Sequence, residues 1–262
     1  MKRKPIIVLF SLISLLTASC TKMDKLFNNG EPVTEYRSLD RRFNVISIYN
    51  NVNVKLVRDN HVHVELTCPE NLIEKITTEI DGDTLVIKNQ NEYNWLRSFD
   101  YSIDMTVYFD SLCKIKYASI GTLFCSDSLH GFGEMVIDST ENGIDSVWTR
   151  KFDLNINEGC GDIDLTFSSN VVKCNFGNGT SKVTLRGKAA YTELLMRSYG
   201  VIHAEELESI FVRVQSHSNN DAYVWAKTGL RVWLYSGGNV YYRGHPWVAK
   251  ICNSSGQVFR LE

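Results

Sequence analysis

A repeat close to twenty residues long fills the second half of the sequence and limits the folds open to the chain. Small turn residues recur at gaps of 40, 20, 19, 20, 18 and 18, and they are Gly121, Gly161, Ser181, Gly200, Asn220, Gly238 and Gly256. An apolar residue follows two positions later at Ile163, Val183, Ile202, Val240 and Val258. A unit this short cannot bury its apolar face alone, so each repeat must stack on its neighbours.

Alternation of apolar and polar residues predicts that these repeats are built from β-strands. Residues 52–56 and 62–66 alternate in this way, and a second alternating run precedes each turn of the repeat region, at Leu154/Ile156, Cys174/Phe176, Leu194/Met196, Val212/Val214, Val232/Leu234 and Ala249/Ile251. The best helical candidate, residues 69–76, is at most two turns long. The sequence therefore predicts an all-β fold.

Two all-β architectures fit the repeat. One is a right-handed parallel β-helix, or β-solenoid, with coils of roughly 20 residues; the other is an antiparallel meander closed as a sandwich or propeller. The Asn-Gly pairs at Asn142 and Asn178 are typical of hairpins and support the meander. The even period favours the solenoid, in which Val183, Val212 and Val232 should point inward and stack on equivalent residues of the next coil.

The N-terminus has the features of an export signal. Residues 1–4 are basic, and residues 5–16 form an apolar run that is shorter than the roughly 20 residues a membrane span needs. Small residues at 17–19 precede Cys20, which resembles a lipobox. We therefore predict a lipoprotein signal peptide over 1–19, lipidation at Cys20, a flexible tether over 20–37 and a β domain over 38–262. The alternative is an ordinary secretory signal cut near Ala18.

The predicted location follows from this anchor. A lipidated Cys20 would attach the protein to a membrane of the cell envelope, which we expect to be the outer membrane, with the periplasmic or external face left open. The net charge of −2 provides no general basic field, so no nucleic-acid partner is expected. Six further cysteines form no Cys-Xaa-Xaa-Cys pair, and most are expected to be small buried hydrophobes with any pairing left open: Cys68, Cys113, Cys125, Cys160, Cys174 and Cys252.

No catalytic or cofactor-binding motif is present in the sequence. His61 and His63 have a spacing that zinc could use, but no third ligand is close in sequence, so we predict no metal site. Asp162, Asp164 and Arg186 could serve a polysaccharide lyase only by analogy with other β-helical enzymes. We therefore predict a protein without enzymatic activity and without a cofactor.

Aromatic residues are concentrated near the C-terminal end of the sequence: Tyr223, Trp225, Trp233, Tyr235, Tyr241, Tyr242 and Trp247. In a solenoid, alternate side chains point outward, so Trp233, Tyr241 and Arg243 are predicted to form an exposed binding patch. The alternative is that these rings cover the open end of the solenoid or pack between coils.

Two parts of the sequence resemble a known family. Residues 42–56, 64–66 and 80–87, together with the closing repeats at 236–246 and 254–258, are similar to the putative auto-transporter adhesin, head GIN domain family. The Ser-Gly repeats of that family are altered here at 158–161, 177–179 and 216–219. The resemblance implies a β-helical domain, common in lipoproteins, that acts as an adhesin.

The predicted function is that of a non-catalytic envelope lipoprotein that binds a glycan or a protein partner. The alternatives are a carbohydrate-active enzyme resembling a polysaccharide lyase and a purely structural envelope protein.

Overall fold

The structure, a computed structural model, describes residues 28–92, 100–140 and 143–261, without the side chains of 134–140 and 143–148. In the described part of the chain, strands make up 68% and helix 2%, which confirms the all-β prediction. The N-terminal part contains β1 (Pro32–Ser38), β2 (Val45–Asn50), β3 (Asn53–Arg58), β4 (His63–Pro69), the one-turn helix α1 (Glu70–Ile73), β5 (Ile76–Asp81), β6 (Thr84–Asn89), β7 (Asp104–Phe109), β8 (Lys114–Ser119) and β9 (Leu123–Leu129). The remainder contains β10 (Phe132–Thr140), β11 (Gly143–Gly159), β12 (Ile163–Gly179), β13 (Lys182–Met196), β14 (Val201–Ser216), β15 (Ala222–Leu234), β16 (Val240–Arg243), β17 (Trp247–Cys252) and β18 (Val258–Arg260).

All of these strands join one curled sheet that contains two parallel stacks. Stack A runs through β6, β2 and β8, then the second halves of β11 to β15, and ends at β17. Stack B runs through β7, β3 and β9, then the first halves of β12 to β15, and ends at β16 and β18. Each repeat therefore contributes one strand segment to each stack.

The turn residues of the repeat lie directly on one another, as their spacing predicts. A Cβ added to Gly161 would lie 1.8 Å from the carbonyl oxygen of Gly121, and one added to Gly256 would lie 2.4 Å from that of Gly238. Real Cβ atoms do not approach a carbonyl oxygen this closely, so these two turns require glycine because the backbone of the preceding turn occupies the space.

Inward-facing apolar side chains line up along each stack. In stack B, Ile163 pairs with Val183 and Val183 with Ile202, and all three are buried. Val212 and Val232, which the repeat also predicts to point inward, are 3% and 1% exposed. These columns form a continuous core, so the hydrophobic effect acts between repeats as well as within them.

Two predicted alignments in stack A are wrong. Each strand segment of stack A has three inward positions, and Val212 occupies the first of them in its segment. Val214, not Val212, is therefore the partner of Leu194. In the last repeat Lys250 pairs with Val232, so Ala249 and Ile251 lie on the outward face. The reason is that a shift of the register by a single position exchanges the two faces of a strand.

A hairpin explains the one long gap in the repeat, between Gly121 and Gly161. Strands β10 and β11 pair antiparallel, with Thr140 opposite Gly143; Asn142 itself lies outside the described residues. On either side of this insertion the stacks continue in register, because Leu154 pairs with Ile115 and Ile163 with Leu123.

Strand β1 corrects the predicted end of the tether. It pairs antiparallel with β4, and the guanidinium of Arg37 donates hydrogen bonds to the carbonyl oxygens of Ile76 at 2.6 Å and Ile73 at 3.4 Å. The polar composition and Pro32 conceal this strand in the sequence. The first described strand therefore begins at residue 32, inside the predicted tether, while the predicted signal peptide, Cys20 and tether residues 21–27 lie outside the described residues.

Candidate binding surface

Parallel pairing in register places equivalent outward side chains above one another at about 4.8 Å. On stack B this produces an aromatic ladder of four rings: His203, Tyr223, Tyr241 and Phe259. The successive ring centroids are 4.8, 5.0 and 5.4 Å apart, with interplanar angles of 4°, 12° and 26°. The stacking of these rings thus follows from the backbone register.

Polar groups fix one end of the aromatic ladder and the other end is open. Nδ1 of His203 lies 2.9 Å from a carboxylate oxygen of Glu205. Partial burial raises the pKa of Tyr223, with Asp221, Tyr241 and Glu205 adding to the effect. Its hydroxyl, like that of an ordinary tyrosine, is a hydrogen-bond donor at neutral pH. At the other end, Phe259 is 45% exposed, and no other ring in the described ranges stacks on its far side.

Arg243 lies beside the aromatic ladder. Its guanidinium is 5.0 Å from the centroid of the Trp225 ring and donates a hydrogen bond to the carbonyl oxygen of Glu205 at 3.2 Å. Trp225 and Arg243 are paired neighbours in successive repeats. A guanidinium held in this way is oriented before any ligand arrives.

The structure separates the three residues of the predicted patch. Tyr241 and Arg243 share stack B, but Trp233 lies on stack A, where it pairs with Gln215 and Ile251. Trp233 and Tyr241 are half-buried rather than fully exposed. The Arg213 guanidinium covers the Trp233 ring at 4.9 Å, and the Tyr241 ring lies between those of Tyr223 and Phe259 at 5.0 and 5.4 Å.

A second surface surrounds Trp233, and the sequence reasoning did not find it. Tyr191, Phe211, Gly229 and Trp247 occupy equivalent outward positions in four successive repeats. The rings of Phe211 and Trp247 therefore flank a position without a side chain, and Tyr191 lies one repeat beyond Phe211. The resulting aromatic groove has a volume of about 310 Å³ and is lined by Tyr191, Phe211, Arg213, Arg231, Trp233 and Trp247 around Gly229. The regular spacing of the three rings and the glycine would have revealed it in the sequence.

Of the three residues considered for lyase chemistry, Asp164 and Arg186 form an ion pair with each other, whereas Asp162 is exposed. Arg186 contacts the carboxylate of Asp164, and its Nε lies 2.9 Å from the Glu206 carboxylate. Asp164, Arg186 and Glu206 stand in adjacent repeats, where a cation between two carboxylates avoids repulsion between like charges along the stack.

The candidate zinc pair also has structural partners. The His63 ring lies between the rings of Tyr36 and Tyr108, at centroid distances of 4.8 and 4.0 Å, and its Nδ1 is 2.9 Å from the carbonyl oxygen of His61. Among the residues that the structure describes, no group of three His, Cys, Asp or Glu side chains is placed to hold a metal ion.

Three cysteine thiols belong to the core. Cys68, Cys125 and Cys174 are buried and form no disulfide, whereas Cys160 and Cys252 are exposed. Burial raises the pKa of the Cys174 thiol to about 12 and is the main cause of the rise at Cys125, also to about 12. Both thiols are therefore protonated and unreactive in the folded protein.

The fold and these surfaces define an all-β protein that presents stacked aromatic rings on the outside of its curled sheet. The chain belongs to the putative auto-transporter adhesin, head GIN domain family, whose sequence profile matches residues 42–246. This confirms the resemblance seen in the sequence. No functionally curated protein matches the chain.

Solved structures share this fold. A putative adhesin from Bacteroides fragilis superposes with a TM-score of 0.75 at 16% identity, covering 90% of this chain and 100% of that one. A putative adhesin from Parabacteroides distasonis has a TM-score of 0.64 at 19% identity, covering 90% and 99%. A putative lipid binding protein from the same organism has a TM-score of 0.62 at 14% identity, with the same coverage.

The family supports a place in the cell envelope or at the cell surface. In the part of the chain that the structure describes, no helix has the length and apolar character needed to cross a membrane.

Proposed function

We propose that this protein is a non-catalytic adhesin of the cell envelope that binds a glycan through the aromatic ladder. The observation that carries the proposal is the column of four stacked rings ending in the open face of Phe259. The open face of Phe259 and the ring edges along the column provide a rigid contact area, and the Tyr223 and Tyr241 hydroxyls add hydrogen-bonding groups. The adhesin names of the family and of two structural neighbours support the same role.

The proposal includes the absence of catalysis. Arg186 and Asp164, the residues nearest to a lyase-like arrangement, are engaged in ion pairs between repeats, which supports a structural role for both. Incubation with candidate polysaccharides should therefore release no unsaturated product. Product release would favour the carbohydrate-active enzyme instead.

The proposed architecture and anchor suit an adhesin. We propose that the two stacks wind as a right-handed parallel β-helix, because crossover connections between parallel strands are right-handed in nearly all proteins. From β11 onward, paired strands are offset by one repeat of the sequence, which supports one strand per stack in each coil. Acylation at Cys20 would hold this domain at the outer membrane, with residues 20–31 as the spacer.

A glycan array with the purified, detergent-solubilised protein tests the function. The double variant Tyr241→Ala/Phe259→Ala should weaken glycan binding by about 1–3 kcal/mol, roughly 5- to 150-fold. Tyr36→Ala is the matched control, because Tyr36 is 63% exposed and its ring packs against that of His63 rather than in the aromatic ladder. Equal binding by the double variant and the wild type would refute the assignment, and binding to proteins but no glycan would identify a protein receptor instead.

A further inference from the structure

The charged side chains of the C-terminal repeats are all positive, although the whole chain has a net charge of −2. From Ala222 to Leu261 the sequence contains no Asp or Glu, and its basic residues are Lys227, Arg231, Arg243, Lys250 and Arg260. This segment supplies four of the residues that line the aromatic groove, including Gly229. The electrostatic field there favours an anionic ligand.

The aromatic groove is shaped by a missing side chain. A Cβ on Gly229 would lie 2.7 Å from Cδ1 of Phe211 and 2.6 Å from Cζ2 of Trp247, so the two rings close in over the glycine. Phe211 and Trp247 are 41% and 47% exposed. The volume of about 310 Å³ is at the lower end of the range for small-ligand sites, which suits one or two sugar rings rather than a folded partner.

Two guanidiniums border the groove, and each faces a tryptophan ring. Arg213 lies 4.9 Å from the Trp233 centroid and Arg231 lies 5.5 Å from that of Trp247. Arg213 is partly neutralised by Glu193 at 3.4 Å, yet its buried Nε has no hydrogen-bond partner. Arg231 is exposed and forms no ion pair with any residue of the described ranges.

We propose that the aromatic groove binds an acidic polysaccharide, with a sugar ring against Phe211 and Trp247 and the sugar carboxylate on Arg231. A guanidinium oriented by a ring offers a planar pair of N–H donors that matches a carboxylate. The inference rests on the proposed carbohydrate-binding function but assigns a different surface, on stack A rather than stack B.

The test uses polygalacturonate and its methyl ester, which differ in the charge of the carboxyl group. Wild-type protein should bind the free acid at least 10-fold more tightly than the ester, since hydrogen bonds to charged groups are the strong ones. Arg231→Gln should weaken binding to the acid by about 10-fold or more. Arg231→Lys, which keeps the charge but loses the planar pair of donors, should give an affinity between those of the wild type and Arg231→Gln.

A matched control separates the site from the general charge. Arg260→Gln removes one positive charge from the same segment without touching the groove, so it should change affinity less than 2-fold. Equal losses for Arg260→Gln and Arg231→Gln, or equal affinity for acid and ester, would overturn the inference. Thermal melts of both variants confirm that the fold is kept.

Two further measurements distinguish this inference from the function on which it rests. If Tyr241→Ala/Phe259→Ala abolishes glycan binding while Arg231→Gln leaves polygalacturonate binding intact, the aromatic ladder stands and the groove assignment fails. If neither variant nor wild type binds any glycan, both fail. Binding to phosphatidylglycerol vesicles that depends on Arg231 and exceeds binding to polygalacturonate would assign the groove to a lipid and refute the acidic polysaccharide.

Discussion

Replacing Phe176 with alanine should be among the most destabilising single changes in the domain. Phe176 is fully buried in stack A, where it pairs with Ile156 on one side and Met196 on the other. Its ring also lies against the next turn, because a Cβ on Gly200 would be 2.1 Å from Cε1 of Phe176. Hydrogen bonds hold the strands at about 4.8 Å, so the neighbouring repeats cannot close the cavity.

The expected cost of Phe176→Ala follows from this rigidity. Phe-to-Ala changes in cores cost about 3–5 kcal/mol, and a site that cannot collapse lies in the upper part of that range, near 4 kcal/mol. For a domain of this size that corresponds to a decrease in Tm of about 8–16 °C. It is a large share of a typical total stability of about 5–15 kcal/mol.

Thermal melts followed by far-UV circular dichroism measure this difference. Phe124→Ala is the control, because Phe124 is 41% exposed on the outward side of β9 and should cost well under about 1 kcal/mol. A Tm decrease below about 3 °C for Phe176→Ala, or equal decreases for both variants, would show that the inward columns do not carry the stability of the repeats.

Three further predictions address the anchor, the rings and the thiols. A fatty-acid probe should label the wild type but not Cys20→Ala, which should be released from membranes; equal labelling would disprove the anchor. Tyr223→Ala, which removes two ring contacts, should cost about 1–3 kcal/mol in a urea titration, roughly twice the cost of Phe259→Ala, which removes one; equal costs would contradict ring stacking as the cause. Iodoacetamide should modify Cys160 but not Cys174 in the folded protein, as mapped by mass spectrometry. Because burial raises the pKa of Cys174 from 9.0 to about 12, the contribution of this thiol to stability should be complete below pH 9 and be lost as the pH rises toward 12; a Tm that is the same at pH 8 and pH 11 would contradict this.

The sequence predicted the parts of the fold that depend on spacing. Turn residues such as Gly161 and Gly256 follow from the repeat because the backbone of the preceding turn leaves room for little else. Strand β1 was not predicted, since its partner β4 lies well beyond the next strands of the chain and its own residues are largely polar. Pairing partners distant in sequence leave no local pattern.

The binding surfaces were predicted only in part, because a side chain's neighbours across a stack are a full repeat away in the sequence. Alternation correctly separated inward Val232 from outward Trp233, yet it could not show that Trp233 and Tyr241 lie on different stacks. The groove depends on the absence of a side chain at Gly229 between two rings. That absence becomes visible only when the repeats are aligned in register.

The hairpin of β10 and β11 shows where this kind of chain tolerates a change in length. It is inserted at the junction between a segment of stack B and a segment of stack A. Around it, Leu154 still pairs with Ile115 and Ile163 with Leu123. An insertion at such a corner leaves every inward column intact, whereas a single residue inserted within a strand would turn its core side chains outward. Evolution can therefore change the length of the connections between the two stacks freely. A foreign peptide grafted between Phe132 and Lys151 should likewise be displayed without disturbing the repeats on either side.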